Sequence, residues 1–198
     1  DMVPRPVVIR ENYKGSEKLR GKTALITGGD SGIGRSVAVH FAREGADIAF
    51  VYLQEDDDAL ETNKLVKGEG RRCLMFKGDI RDRDFCKKVV DKTLVEFHRI
   101  HILVNHAGEQ HPTGDPGELN LSLMVKTFET NIFAMYYMTL PVLEQMEEDD
   151  CIINTTSVTA YYGSPRFIDY SATNGAIISF TRSLARNLAS KGIRVNGV

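Results

Sequence analysis

The stretch from Lys22 to Gly34, K-T-A-L-I-T-G-G-D-S-G-I-G, constrains the fold of this chain more than any other. Ala24, Leu25 and Ile26 make a short apolar run of strand type, Thr27 to Ser31 a turn rich in glycine, and a helical pattern begins at Gly32. A strand that passes through such a turn into a helix aims backbone N–H groups and the positive end of the helix dipole at one point. The missing side chains at Gly28, Gly32 and Gly34 let a diphosphate and a neighbouring strand come close. The expected occupant is anionic. On its own the spacing T-G-x-x-x-G-x-G also fits a tight connection without a ligand, so the surrounding pattern must decide.

That pattern alternates strands with helices. Val37, Ala38, Phe41 and Ala42 recur at helical spacing and Gly45 closes the first helix; a second strand is expected at Asp47 to Tyr52. Asp57 to Lys67 reads as a charged surface helix ending near Gly68 and Gly70, Cys73 to Phe76 as a third strand, and Asp82 to Phe97 as an amphipathic helix. Ile102 to Val104 is a fourth strand leading into N-H-A-G at Asn105 to Gly108. A loop with Pro112, Gly114, Pro116 and Gly117 precedes a helix from Ser122 to Met146, in which Pro141 is expected to make a kink. Cys151 to Thr155 is a fifth strand, Tyr170 to Ala189 a further helix, and Ile193 to Val198 the start of a sixth strand. Such alternation implies a parallel sheet covered on both faces, which the continuous apolar strands A-L-I and I-L-V also require. Ligands then sit beyond the carboxyl ends of the strands. With 198 residues, 42% of them hydrophobic, the chain has enough apolar material for one core. Residues 1–20, with Pro4, Pro6 and Gly15, read as an extended arm on the domain or on a neighbour, and residues 21–198 as a single domain.

A net charge of −2 gives no basic footprint for nucleic acid. The acidic runs Glu55 to Asp58 and Glu147 to Asp150 flank apolar segments and read as solvated helix ends. His98, His101, His106 and His111 match no tight metal-ligand spacing, and no cysteine joins them. Cys73, Cys86 and Cys151 are odd in number and lack C-x-x-C spacing, which points to a reducing compartment. The opening D-M-V-P-R-P lacks the apolar core of a signal peptide, and no apolar run reaches about 18 residues, so the expected location is the cytoplasm, with no membrane partner.

Five motifs in order carry a resemblance: T-G-G-D-S-G-I-G at Thr27 to Gly34, N-H-A-G at Asn105 to Gly108, Asn131 in T-N-I, Ser157 in N-T-T-S, and Tyr170 in Y-S-A-T-N. From Gly21 to Val198 the chain resembles a short-chain dehydrogenase/reductase. The arm with Y-K-G-S-E-K-L at Tyr13 to Leu19 further resembles a branch of glucose/ribitol dehydrogenase-like proteins and aldehyde reductases. The resemblance implies a Rossmann-type, doubly wound α/β fold with strand order 3-2-1-4-5-6. It implies an NAD(P)-dependent oxidoreductase that moves a hydride between nicotinamide and a carbonyl or alcohol substrate, a sugar, polyol or aldehyde. Tyr170 would be the general acid/base, Ser157 the hydroxyl that positions the substrate oxygen, and Asn131 the holder of a water on the proton path. Cofactor contacts would fall to Gly28, Asp30, Ser31, Gly32, Ile33, Gly34, Tyr52, Asp79, Ile80, Asn105, Ala107 and Gly108. Ser31 fits helix capping equally well, as does Asp79, and His106 is expected to help hold its turn.

One position departs from the pattern. Four residues after Tyr170, on the same helical face, the family carries lysine and this chain has Asn174. Asparagine can hydrogen-bond a ribose but brings no charge. Without a neighbouring cation, a phenol of ordinary pKa near 10 is ionised in only about one molecule in a thousand at pH 7. Dinucleotide binding with impaired turnover is therefore expected, and oxidation should suffer most. The second strand ends in Tyr52, Leu53 and Gln54, with neither an acid to hold an adenosine 2′-hydroxyl nor a base to welcome a 2′-phosphate, so the cofactor is expected to be NADP or NAD, with a slight lean to NADP. The chain stops at R-V-N-G-V inside the sixth strand, so a substrate loop and a last strand are expected to lie outside these 198 residues. Apolar residues on several faces of the last two long helices, including Phe128, Phe133, Ile178, Phe180 and Leu184, suggest a homodimer or homotetramer. The rival from another class is a dinucleotide-binding sensor or scaffold without catalysis, which Asn174 favours. A methyltransferase would leave Ser157 with Tyr170 unexplained.

Overall fold

A computed structural model describes Val3 and residues 6–198 of the chain. Among these, six strands pair side by side, all parallel: β1 (Thr23–Thr27), β2 (Asp47–Tyr52), β3 (Cys73–Lys77), β4 (Ile102–Asn105), β5 (Cys151–Asn154) and β6 (Arg194–Gly197). Their order is 3-2-1-4-5-6, as the resemblance implies. Each connection is a helical crossover, because parallel neighbours cannot be joined by a tight turn. The helices are α1 (Gly32–Arg43), α2 (Asp56–Gly68), α3 (Arg83–Phe97), α4 (Leu121–Phe128), α5 (Ala134–Leu143), α6 (Thr159–Tyr162) and α7 (Ile168–Leu188).

Alternate residues of the strands feed two cores. Ala24, Ile26, Ile48, Phe50, Ile102 and Val104 pack with Ala38, Val39 and Ala42 of α1 and Ala59 and Val66 of α2. On the opposite face Leu25, Val51, Leu103, Ile152 and Val195 meet Val89 and Val90 of α3, Met138 and Val142 of α5, and Leu188 of α7. Both sheet faces are covered, which is why the central strands carry unbroken apolar runs between polar ends. Register sets where the loops emerge: Thr27 lies opposite Asn105, Asn105 opposite Asn154, and Asn154 opposite Gly197. The turns after β1, β4 and β5 therefore leave the sheet along one edge.

The helix expected from Ser122 to Met146 with a kink at Pro141 is corrected. The break falls at Glu129–Phe133, which is wound as a π-helix between α4 and α5, while Pro141 lies within α5. A π turn inserts a residue into the helical ladder and swings the side chains that follow. Here it carries Asn131. The one-turn helix α6, between Ser157 and Tyr170, had no expected counterpart, and Gly163 ends it at φ +68°.

Of the arm, Asp1, Met2, Pro4 and Arg5 lie outside the described residues. The rest runs along α1. Val8, Ile9 and Leu19 pack against the core on that side, and Ser36 donates its hydroxyl to the Val8 carbonyl at 3.0 Å. Glu44, just past α1, accepts from the Tyr13 hydroxyl, from the Ser16 N–H at 3.0 Å and from the Lys18 N–H at 3.2 Å. Arg43 donates to the carbonyls of Arg10 and Tyr13. No helix among the described residues is long and apolar enough to cross a membrane.

Candidate active site

A cleft of about 770 Å³ opens beyond the carboxyl ends of β1, β2, β3, β4 and β5. Its floor is the turn after β1. The N–H groups of Gly28 and Gly29 both donate to the Val51 carbonyl, at 2.9 and 3.2 Å, which ties the turn to β2. Gly28 takes φ +69°, and a Cβ there would come within 3.0 Å of the Ala107 backbone. A Cβ at Gly34 would come within 1.9 Å of the Gly28 carbonyl oxygen, so the helix packs on the turn only with glycine there. Gly32, at φ +52°, is different: a Cβ would meet no protein atom within 4 Å, and Gly32 lines the cleft. The free space at this glycine belongs to the site.

α1 begins at Gly32 without a side-chain cap. Ser31 stands at the N-cap position in extended conformation, yet its hydroxyl makes no capping bond and no acid occupies the first turn. The first N–H groups of a helix have no partner of their own. An anionic group in the cleft would satisfy them, and these residues fit the diphosphate of a dinucleotide.

The opposite wall comes from the turn after β4. Thr27 accepts from the N–H groups of His106 and Ala107, at 3.0 and 3.1 Å, and the His106 ring lies 3.1 Å from the Thr155 hydroxyl. Burial pushes the His106 imidazole below its ordinary pKa, which favours the neutral ring. The expected role of His106 in holding this turn agrees with these bonds. At the end of the cleft beyond β2 and β3, Tyr52 donates to Asp56 at 3.0 Å, and Asp79 is gripped by the guanidinium of Arg81. Arg81 holds the Asp79 carboxyl below the usual carboxylate range. Asp79 does not cap α3; Asp82 does, accepting from the N–H groups of Asp84 and Phe85.

Twelve of the residues expected at the site line this cleft: Gly28, Asp30, Ser31, Gly32, Ile33, Tyr52, Asp79, Ile80, Ala107, Gly108, Ser157 and Tyr170. Ser157 follows β5, and its oxygen accepts from the Thr159 N–H at 3.2 Å. Tyr170 sits in the first turn of α7, its ring 6.3 Å from that of Phe167 at a steep angle. Both are half-buried.

Four expected residues lie behind the wall. Gly34 packs α1 on its turn. Asn105 is buried, donating to Thr139 at 3.1 Å and to Asn154 at 2.9 Å, and so braces β4 against β5 and α5. Asn131 is buried in the π turn. Its amide oxygen accepts from the Glu109 N–H at 2.8 Å, and its amide nitrogen donates to the Glu109 carbonyl at 2.9 Å and to Thr173 at 3.2 Å. Asn174 is 2% exposed and turns back into the protein, donating to the Tyr170 carbonyl at 2.8 Å and accepting from Thr156 at 3.2 Å. Its amide is not presented to the cleft.

Other residues of the wall escaped sequence reasoning. Glu109 and Gln110, directly after N-H-A-G, line the cleft with Lys126 and Thr130. Glu109 accepts from Thr130 at 3.0 Å and pairs with Lys126 at 3.1 Å. The signal available was the polar pair E-Q at the end of an otherwise apolar strand motif.

Residues 22–198 match the sequence model for short chain dehydrogenase. The chain belongs to the short-chain dehydrogenase family. Among relatives in this family, the chain is 46% identical over 203 residues to the glucose and ribitol dehydrogenase of Daucus carota, covering 100% of this chain and 70% of that one. It is also 46% identical over 203 residues to the chloroplastic NADPH-dependent aldehyde reductase 1 of Arabidopsis thaliana, with the same coverage. A short chain dehydrogenase from Burkholderia cenocepacia, solved in complex with NADP, superposes with a TM-score of 0.86 at 32% identity, covering 90% of this chain and 73% of that one. The relatives named here are a dehydrogenase and a reductase, and the chain is an oxidoreductase by family.

Proposed function

We propose that this chain binds NADP, in preference to NAD, and reduces or oxidises a small carbonyl or alcohol compound: a sugar, a polyol or an aldehyde. One observation carries the reading: an uncapped helix N-terminus at a glycine turn shares a cleft with the hydroxyls of Ser157 and Tyr170. The relatives named for aldehyde reduction and for glucose and ribitol oxidation, and the NADP held by the solved one, support the cofactor and substrate class.

The backbone of residues 31–34 would hold the diphosphate, and Tyr52, Asp79 and Ile80 would border the adenosine. When bound, nicotinamide supplies or accepts the hydride. The chain's own residues handle the oxygen and the proton. In reduction the Tyr170 phenol donates its proton to the substrate oxygen, and in oxidation it takes that proton back. Ser157 donates a hydrogen bond to the same oxygen and stabilises the charge that develops there. Asn131 acts by position: through Glu109 it fixes the wall after β4, and through Thr173, which donates to the Tyr170 carbonyl at 2.8 Å, it fixes the first turn of α7.

Asn174 leaves the phenol without a cation from its own helix. The cations that line the cleft, Arg81 and Lys126, are paired with Asp79 and Glu109. Turnover is therefore low at neutral pH, and lowest for oxidation. The same observation favours a second reading, a dinucleotide-binding protein without turnover. Assay of aldehyde reduction and polyol oxidation beside calorimetric titration of NADPH separates the two: saturable binding with turnover supports the first, binding without turnover the second, and absence of binding contradicts both. The exposed apolar residues Leu121 and Val125 on α4, Phe133 in the π turn, and Tyr136 and Leu140 on α5 further support assembly into a homodimer or homotetramer.

A further inference from the structure

Among the described residues, His106 is the one histidine that lines the cleft, and the turn after β4 holds it half-buried. Two contacts orient its ring. Nδ1 lies 3.1 Å from the Thr155 hydroxyl, and on the other edge Cδ2 stands 2.9 Å from the point that a Cβ on Gly34 would occupy. Nε2 is bonded to Cδ2, so the second nitrogen lies on the edge turned to the first turn of α1. The Thr155 bond is the only one the ring makes among the described residues.

That turn lacks partners of its own. The Arg35 N–H donates to the Ser31 carbonyl at 3.0 Å, whereas those of Gly32, Ile33 and Gly34 meet no acceptor among the described residues. An acid shares the space. Asp30 lines the cleft, and Arg35 grips its carbonyl at 2.8 and 3.0 Å while pairing with the Asp58 carboxylate. The Asp30 carboxylate itself enters no ion pair among the described residues, so it meets an incoming diphosphate with like charge. Asp30 also favours the charged form of the His106 ring, but burial opposes it and prevails. The other elements packed on the ring bring no free charge. The first turn of α1 is G-I-G, β5 is followed by Thr155 and Thr156, and beyond Ala107 and Gly108 the Glu109 carboxylate is paired with Lys126.

We propose that His106 is a ligand of the cofactor diphosphate and takes up a proton from solvent as the cofactor binds. The inference rests on the dinucleotide reading given above and adds to it a residue and a proton. Nδ1–H donates to Thr155, and Nε2 gains the proton and donates it in a hydrogen bond to a diphosphate oxygen. In the free chain both burial and the positive end of the α1 dipole keep the ring neutral. A bound dianion cancels that partial charge and places an opposite one beside the ring, which reverses the balance. The imidazolium then stands between the diphosphate and Asp30 and neutralises the repulsion between them. The proton returns to solvent when the cofactor leaves.

Calorimetric titration of NADPH into the unaltered chain, His106→Asn and His106→Gln tests this without turnover. Asparagine keeps a polar group near Thr155 and removes Nε2; glutamine reaches as far as Nε2 with an N–H that carries no charge. The 2′-phosphate of NADPH titrates near pH 6 as well, at about that value, so proton uptake is read as the difference between proteins. In buffers of different ionisation enthalpy at pH 7, the unaltered chain should take up about half a proton more per NADPH than either variant. His106→Asn should weaken binding by about tenfold at pH 6 and markedly less at pH 9, where the ring is neutral in both states, and His106→Gln should weaken it less than His106→Asn. NMR of the unaltered chain gives a readout that needs no variant to fold: one imidazole should titrate below the ordinary 6.5 in the free chain and move up by about one pH unit or more with NADPH. Equal proton uptake in the three proteins, or no imidazole midpoint that rises with NADPH, overturns the proposal and leaves the dinucleotide reading standing. A loss in His106→Asn that is the same at pH 6 and pH 9 also overturns it, because a residue that only holds the turn gives that result. Absence of NADPH binding at every pH overturns the dinucleotide reading and this inference with it.

Discussion

Asn174 is the residue on which the proposed chemistry turns. Its amide is spent on the Tyr170 carbonyl and Thr156, so it supports the first turn of α7 mechanically and leaves the Tyr170 phenol without a charge from that position. A cation within about 4–6 Å of an acid favours its ionised form by one to three pKa units. Asn174→Lys should therefore raise alcohol oxidation at pH 7 by about tenfold or more. Rates measured from pH 6 to 10 in both proteins check this, and equal rates throughout would refute it. At this scale the sequence was informative about chemistry and silent about direction. Ser157 and Tyr170 line the cleft as their motifs imply, but nothing in N-H-A-G says that Asn105 faces Thr139 and Asn154 across the sheet. Nor does the i, i+4 spacing say that Asn174 bends back to its own helix.

Among the elements, the π turn and the arm show what was legible and what was not. The strands were read to within a residue or so, because burial on both faces leaves an unbroken apolar run. The π turn left no such trace: one inserted residue shifts the phase of an apolar face that is already wide, and Pro141 drew attention to the wrong place. The single turn of α6 is too short to show a period. The π turn presents Asn131 so that its amide clamps both the N–H and the carbonyl of Glu109. Asn131→Ala should cost about 1 kcal/mol of stability, since it removes the bonds to the half-buried Glu109 backbone. Chemical denaturation measures the loss, and hydrogen exchange should show faster opening of residues 109–120; unchanged exchange there would count against the clamp. The arm depends on Glu44, whose carboxyl the Tyr13 hydroxyl, with the Ser16 and Lys18 N–H groups, lowers from the ordinary 4.5 to about 2. A depressed carboxylate stabilises the fold above its unfolded value and loses that contribution as pH falls through the folded one. The arm should therefore be fully docked above pH 5 and come free between about pH 4.5 and 2. Proteolysis within residues 6–20 across this range tests the prediction, and in Glu44→Gln the cleavage should be faster at neutral pH and nearly independent of pH.

For the molecule as a whole, the parallel sheet explains why residues far apart in sequence meet. Register places Thr27, Asn105 and Asn154 side by side, so everything that follows them shares one edge. Light scattering should give the mass of two or four chains, and a charge at Phe133, as in Phe133→Asp, should shift it towards one. A single-chain mass for the unaltered protein would show that the apolar residues on α4 and α5 serve another purpose. The proposed dinucleotide binding turns on the opening of α1, and calorimetric titration with NADPH and NADH tests it most directly. The unaltered chain should bind NADPH saturably, one per chain, and Gly32→Ala, which puts a methyl group into the cleft and strains a backbone held at φ +52°, should weaken binding by about tenfold or more with the secondary structure retained by circular dichroism. Absence of binding for both nucleotides, or equal affinity in Gly32→Ala, would contradict it.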